Sequence, residues 1–106
     1  MSEHLRTKAV MEKAVLQIRP GESSAFEEAF SRAKSILAGR PGFRRLTLSR
    51  STSRTSTYLL LVWWERIEDH QSGFRESPEY KEWSALLHHF YDPFPAIEYF
   101  TLIESG

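Results

Sequence analysis

Histidine is the side chain best suited to proton transfer near neutral pH, and one histidine of this 106-residue chain lies in an apolar helical pattern. The pattern occupies positions i, i+3, i+4 and i+7 and consists of Ile67, His70, Gln71 and Phe74. This spacing predicts a short helix with one stripe facing the core. A neutral imidazole there could accept a proton from a bound ligand or donate a hydrogen bond to an anionic one, which makes His70 the candidate catalytic residue. The alternative is a core histidine satisfied by a backbone carbonyl.

His88 and His89 are adjacent, but their geometry argues against a shared metal ion. Successive helix residues diverge by about 100°, so the two rings cannot coordinate one ion from one face. Both residues also lie off the apolar stripe of their helix, which is formed by Tyr80, Trp83, Leu87 and Phe90. We therefore expect both histidines on the solvent side and no bound metal.

Aromatic side chains and one arginine could bind a flat aromatic ligand beside His70. The candidate substrate-binding residues are Trp64, Phe74, Arg75, Tyr80, Trp83 and Tyr99. Arg75 could contact an anionic substrate, although a solvated arginine or an ion pair with Glu76 or Glu79 is the alternative. Large aromatics also dominate ordinary cores, so the same set could serve packing alone.

The composition limits the classes of partner. The chain has 14 basic and 14 acidic residues, so no net charge attracts nucleic acid or an anionic membrane. It has no cysteine, which excludes disulfides and thiolate metal sites and fits a reducing cytoplasm. It has no glycine fingerprint for flavin or dinucleotides, so we expect no cofactor. Residues 1–9 have no apolar run and are predicted to be a flexible arm, which leaves 10–106 as one domain.

A run of apolar and aromatic residues over 58–64 predicts a central strand buried on both faces. Other strands are predicted over residues 10–19, 43–50 and 97–103. In the last of these, Ile97, Tyr99 and Ile103 share one face.

Two helices have recognisable ends. Ser24 and Glu27 have the spacing of a capping box, which predicts the start of the first helix, and Gly39 ends it. Ser77 and Pro78 supply a cap hydroxyl and a first-turn proline at the start of the last helix.

The resulting order, βαββαβ with the second helix broken in two, predicts an α+β, ferredoxin-like fold with a four-stranded antiparallel sheet and helices on one face. By alternation the other face carries Val15, Trp63 or Trp64, and Tyr99 or Phe100. That apolar area is too large for a solvated surface, so we expect a homodimer joined sheet to sheet. RNA-binding modules share this order, but residues 58–63 lack the basic and glycine residues that such a module needs on its third strand.

The order of elements, together with several short motifs, resembles the antibiotic-biosynthesis-monooxygenase family of dimeric α+β barrels. The motifs are residues 15–18 with Pro20-Gly21, then Pro41-Gly42-Phe43, Trp64-Glu65, and residues 67–70, 74–77 and 80–83. The resemblance covers residues 10–104. It implies oxygen insertion into phenolic polycyclic substrates without flavin, haem or metal, because a deprotonated phenol can reduce dioxygen directly.

Two alternatives within this fold remain. A haem-degrading branch of the family uses an Asn, a Trp and a His at positions that align with Lys13, Phe74 and Ser84, so all three are missing and haem degradation is disfavoured. A non-catalytic small-molecule binder or sensor dimer could use the same pocket as the enzyme, and nothing in the sequence separates these two functions.

Overall fold

The computed structural model of the protein describes residues 9–106, and the predicted arm lies outside the described residues except for Ala9. Four strands are present: β1 (Val10–Gln17), β2 (Phe43–Arg50), β3 (Thr57–Trp64) and β4 (Ile97–Thr101). Two α-helices, α1 (Ser23–Ala38) and α2 (Pro78–Leu87), are joined to the sheet by short loops. A π-helical turn (Asp69–Phe74) precedes α2, and a 3-10 turn (His88–Phe90) follows it.

The strands form one antiparallel sheet in the order β2-β3-β1-β4. The two central strands, β1 and β3, come from the most apolar segments, and the helices cover one face of the sheet. This is the predicted ferredoxin-like α+β fold. Among residues 9–106, no helix is long and apolar enough to cross a membrane.

Alternation along the strands separates the two faces of the sheet. The face toward the helices, here called the inner face, carries the buried residues Ala14, Leu16, Ile18, Tyr58, Leu60, Val62 and Trp64. The opposite, outer face carries Met11, Lys13, Val15, Leu59, Leu61, Trp63 and Phe100. The two choices that alternation left open are therefore settled, because Trp64 and Tyr99 point inward while Trp63 and Phe100 point outward. The prediction that β3 is buried on both faces is wrong for a single chain, since Leu59, Leu61 and Trp63 are only half-buried.

Helix α1 packs Phe26, Phe30 and Ala33 onto the inner face. Its predicted capping box is wrong: the helix begins at Ser23, and its N-cap residue Glu22 makes no side-chain capping bond. The backbone amide of Phe26 instead donates to the Glu22 carbonyl at 2.9 Å, so Ser24 already lies within the first turn. The predicted end at Gly39 is confirmed.

The start of α2 is as predicted. The Ser77 hydroxyl accepts a hydrogen bond from the backbone amide of Tyr80 at 3.3 Å, and Pro78 occupies the first turn. The apolar stripe then buries Trp83, Leu87 and Phe90 against the sheet and α1.

Strand β4 is shorter than predicted. It ends at Thr101, which pairs with Val10 at the start of β1, so the ladder has no further partner residue on β1. Leu102 and Ile103 lie beyond the ladder and are 73% and 86% exposed. Ile103 therefore does not share a buried face with Ile97 and Tyr99.

Candidate active site

A cavity of about 60 Å³ lies between the inner face of the sheet and the segment formed by the π-helical turn and α2. Its floor is formed by inward residues of β1 and β3, among them Glu12, Ala14 and Val62. Arg75 and Phe94, both exposed, line it where it meets solvent. About 10–15 Å³ of such space holds one water molecule, so the cavity has room for about four to six.

Glu12 is the unexpected member of this cavity. It lies on β1 in register with the inward residues, and its side chain is buried, with the whole residue 6% exposed. The Trp64 indole Nε1–H donates to Glu12 Oε1 at 2.9 Å. The other oxygen, Oε2, lies 3.4 Å from His70 Nε2. A carboxyl group held in apolar surroundings by specific donors is typical of acid–base sites.

His70 lies at the centre of this polar group. The π-helical turn positions it, with the Arg75 amide donating to the His70 carbonyl at 3.1 Å in the i→i+5 pattern of such turns. Its Nδ1 forms a hydrogen bond with the Tyr99 hydroxyl, and its Nε2 faces Glu12. The predicted inward orientation of His70 is confirmed, but its partners are two side chains rather than a backbone carbonyl.

The predicted stripe around His70 is only partly correct. His70 and Phe74 are buried, whereas Gln71 is exposed and Ile67 is half-buried. The pattern assumed an α-helix, and a π-helical turn advances through a smaller angle per residue. The turn begins at Asp69, so Ile67 lies outside it and the four residues do not share one helical face.

Burial disfavours charge on both members of the Glu12–His70 pair. It raises the pKa of Glu12 from 4.5 to about 7, against smaller opposing effects of the Trp64 hydrogen bond and the Arg75 charge. Burial also lowers the pKa of His70 from 6.5 to about 4, assisted by the positive charge of Arg75. Midway between these two pKa values, near pH 5.5, the pair is therefore mainly uncharged, with its acidic proton on Glu12.

Five of the predicted site residues line the cavity: His70, Phe74, Arg75, Tyr80 and Trp83. Phe74 packs edge to face against both Tyr80 and Trp83, with ring centres 5.3 and 5.8 Å apart. Glu79, one predicted partner of Arg75, pairs with Arg40 instead at 3.1 Å.

The other two predicted residues, Trp64 and Tyr99, lie behind the cavity wall. They contact the residues that line it: Trp64 donates to Glu12, and Tyr99 is hydrogen-bonded to His70. The ring of Trp64 also packs against that of His70, with centres 5.6 Å apart.

The prediction that His88 lies on the solvent side is wrong. Helix α2 gives way to a 3-10 turn at His88, and this turn brings its half-buried ring against Tyr80, Tyr91 and Phe94 on the cavity wall. Burial lowers the pKa of His88, and the Arg75 charge adds to this effect. His89 is exposed, as expected. In the part of the chain that the structure describes, no three His, Asp or Glu side chains are grouped to hold a metal ion.

Glu12 is the site residue that the sequence-based selection missed. The sequence did indicate that Glu12 faces inward, because it lies on the same face of the predicted first strand as Ala14, Leu16 and Ile18. An acidic residue at an inward position of a predicted strand is rare without a polar partner, and no sequence pattern identified Trp64 or His70 as that partner.

The fold and the cavity define a ferredoxin-like α+β domain with a small cavity lined by aromatic residues. Residues 9–86 match the family model described as antibiotic biosynthesis monooxygenase, and the chain belongs to that family. The predicted resemblance is confirmed.

Similar proteins fit this assignment. The chain is 50% identical over 91 residues to the uncharacterized protein YczJ of Bacillus subtilis (strain 168), covering 86% of this chain and 96% of YczJ. A Bordetella bronchiseptica protein, described as a candidate antibiotic biosynthesis monooxygenase, has a TM-score of 0.88 at 25% identity, covering 92% of this chain and 99% of that one. SnoaB, a cofactor-independent oxygenase from Streptomyces nogalater, shares the fold with a TM-score of 0.72 at 19% identity, covering 93% and 95% of the two chains.

Proposed function

We propose that this protein is a cofactor-independent monooxygenase that oxidises a small aromatic or polycyclic phenolic substrate with dioxygen. The observation that carries the proposal is the buried pair formed by Glu12 and His70 on the wall of an aromatic cavity, with the half-buried Tyr99 behind it, in a chain of this family. In the simplest such reaction a substrate CH₂ group becomes C=O, the second oxygen atom leaves as water, and the substrate supplies all four electrons.

The protein's part in this chemistry is proton transfer and stabilisation of an anion. Removal of a proton makes the substrate electron-rich enough to react with oxygen, and Glu12 and His70 form the proton-transfer group that we assign to this step. Arg75 at the cavity mouth supplies the positive charge that favours the anion.

The size of the cavity determines how such a substrate binds. An apolar cavity of about 150 Å³ accepts one benzene ring, whereas this cavity has about 60 Å³. We propose that only the reacting edge of the substrate enters, and that the remaining rings lie against Phe94 and His88 at the mouth. Phe94 is 59% exposed, so it has unused ring surface for this contact.

A non-catalytic small-molecule binder is the second candidate. Both ring nitrogens of His70 already face partners, and an engaged histidine is also what a purely structural polar cluster would contain.

Oxygen uptake separates the two functions. We expect the purified protein to consume oxygen with a panel of anthrones and quinols, and to yield one carbonyl product per dioxygen consumed. Phe94→Ala tests the proposed contact at the cavity mouth. It removes ring surface there and should raise KM more than it lowers kcat. Tight binding of the same compounds without oxygen uptake above that of a protein-free solution would support the binder.

We further propose that the protein is a homodimer joined through the outer face of its sheet and is located in the cytoplasm. Val15 and Phe100 on that face are 36% and 40% exposed, beside the half-buried Leu59, Leu61 and Trp63. A second copy would cover this apolar row. The balanced charge and the absence of cysteine support a partner of this kind, rather than nucleic acid, in a reducing compartment.

A further inference from the structure

The buried carboxyl group of Glu12 reaches the cavity from the floor of the sheet, opposite the aromatic residues. We infer that Glu12 is the residue that takes the proton from the bound substrate, and that His70 and Trp64 are positioning residues that hold its carboxylate. This inference rests on the proposed function, because it names the base of the proposed reaction.

The contacts favour Glu12 over His70 as the first proton acceptor. His70 has two ring nitrogens, of which Nδ1 is bonded to Tyr99 and Nε2 faces Glu12. The ring therefore has no free lone pair to offer a substrate unless one of these contacts breaks. Each oxygen of a carboxylate can accept two hydrogen bonds, so Glu12 keeps acceptor capacity beyond Trp64 and His70.

The groups around Glu12 permit it to be charged when substrate binds. The titratable and charged groups that contact Glu12 or line the cavity with it come from every element around it. They are His70 and Arg75 from the π-helical turn and its end, Tyr80 from α2, His88 and Tyr91 from the 3-10 turn and its end, and Tyr99 from β4. None of these is an acid that ionises near neutral pH, so no like charge opposes the carboxylate. Burial is the main opposing effect, and it sets the pKa of Glu12 at about 7, where a general base works best in neutral solution.

The proton step balances within the site. A C–H or O–H bond of the substrate breaks, its electron pair stays on the substrate, and an O–H bond forms on Glu12. The negative charge moves from the carboxylate to the substrate, next to Arg75. The proton then returns to solvent through the cavity mouth, which the exposed residues Arg75 and Phe94 line.

Hydrogen–deuterium exchange without oxygen tests this step directly. Anthrone has an acidic CH₂ group, and a base in the site should exchange its hydrogens with deuterium oxide under argon, which NMR follows as loss of the CH₂ signal. We expect the wild type to accelerate exchange above the rate in protein-free solution. Glu12→Gln keeps the side-chain shape and should lower the exchange rate by about 100-fold or more. Glu28→Gln, which alters an exposed carboxylate on α1 with a side chain 78% exposed, should leave the rate unchanged.

The pH profile separates the base from its positioning residue. If Glu12 is the base, exchange by the wild type should rise with pH through a midpoint near 7. His70→Phe keeps an aromatic ring beside Trp64 but removes the donor to the carboxylate, so it should move that midpoint to higher pH. At pH 9 Glu12 is ionised in both proteins. There the exchange rate of His70→Phe should be less than about tenfold below that of the wild type.

Several results would overturn the inference. An exchange rate of the wild type that is constant from pH 5 to 9 would indicate a base with a pKa near that of His70. This test uses only the wild-type protein, so it does not depend on whether a variant folds. Exchange retained by Glu12→Gln but lost by His70→Phe would also assign the base to His70. Oxygen uptake without anaerobic exchange would overturn the inference but keep the proposed function. Anaerobic exchange that depends on Glu12, without oxygen uptake, would keep Glu12 as a base but overturn the proposed function.

Discussion

The Glu12–His70 pair links the acid–base chemistry of the site to the stability of the fold. The folded state binds more protons than the unfolded state at Glu12 between pH 4.5 and about 7, so this group makes stability fall as pH rises through that window. At His70 the folded state binds fewer protons between about pH 4 and 6.5, so this group makes stability rise with pH. In the wild type the two contributions offset each other.

Removing either partner should uncover the contribution of the other. We expect the free energy of unfolding of Glu12→Gln to rise between pH 4 and 6.5. That of His70→Phe should fall from pH 4.5 to above 7, because this variant loses the donor to the Glu12 carboxylate. The change in each case is at most about 4 kcal/mol, from a shift of two to three pKa units at about 1.4 kcal/mol per unit. Urea unfolding across this pH range measures both slopes. Parallel curves for the two variants would show that the groups do not titrate as their burial requires.

Sequence patterns identified some of the site residues and missed others. Four of the seven selected residues lie on predicted helical stripes, and the cavity brings all four together because helical spacing fixes a face. They are His70, Phe74, Tyr80 and Trp83. Glu12 required knowledge of what lies across the sheet, and its partner Trp64 is 52 residues away along the chain. His88 required the exact point at which α2 tightens into a 3-10 turn, and no residue type announces that change.

At the scale of elements, the turn that carries His70 is held in place by a glycine on the loop before β2. Gly42 has a φ of +81°, and a Cβ at this position would overlap the carboxylate of Asp69, the first residue of the π-helical turn. The Glu65 amide also donates to the Gly42 carbonyl at 2.8 Å. The loop and the turn therefore pack too closely for any side chain between them.

Gly42→Ala should destabilise the fold and displace His70. Backbone strain alone costs roughly 1–3 kcal/mol at a positive φ, and the overlap with Asp69 adds to it. Gly21→Ala is the matched control, because Gly21 has a φ of +80° but nothing within 4 Å of its added Cβ. Thermal unfolding of both variants gives the difference due to the overlap, and anthrone exchange should fall for Gly42→Ala alone. Equal losses of stability would mean that Asp69 moves aside freely.

Local signals predicted the elements well where they were self-contained. Ser77 with Pro78 fixed the start of α2, and Gly39 fixed the end of α1, because each acts through its own backbone geometry. The capping box failed since Glu22 already receives the first helical bond through its carbonyl. The end of β4 depended on where β1 begins, which is a property of the pair of strands and not of either one.

At the scale of the whole molecule, the proposed dimer can be tested on its outer face. Val15 lies on a central strand and is 36% exposed, so Val15→Glu should leave the single chain folded. In the dimer it would bury an unpaired carboxylate, and we expect the dissociation constant to rise about 100-fold or more. Leu102→Glu is the control, since Leu102 is 73% exposed and lies beyond the ladder.

Sedimentation or light scattering at micromolar concentrations provides the measurement. The wild type and Leu102→Glu should be dimers, and Val15→Glu should be a monomer with an unchanged far-ultraviolet spectrum. A monomeric wild type at these concentrations would contradict the proposal.

The alternation along β1 has a consequence for how relatives of this chain can differ in length. Glu12 faces the cavity, and the next residue, Lys13, faces the opposite side of the sheet, 3.7 Å from Glu98. Loss or gain of one residue in this strand would exchange the two, placing an ammonium group on the cavity floor and a carboxyl group on the outer face. Viable insertions and deletions should therefore collect in the polar hairpin 51–56, while β1 and β3 keep their length even where their residues change.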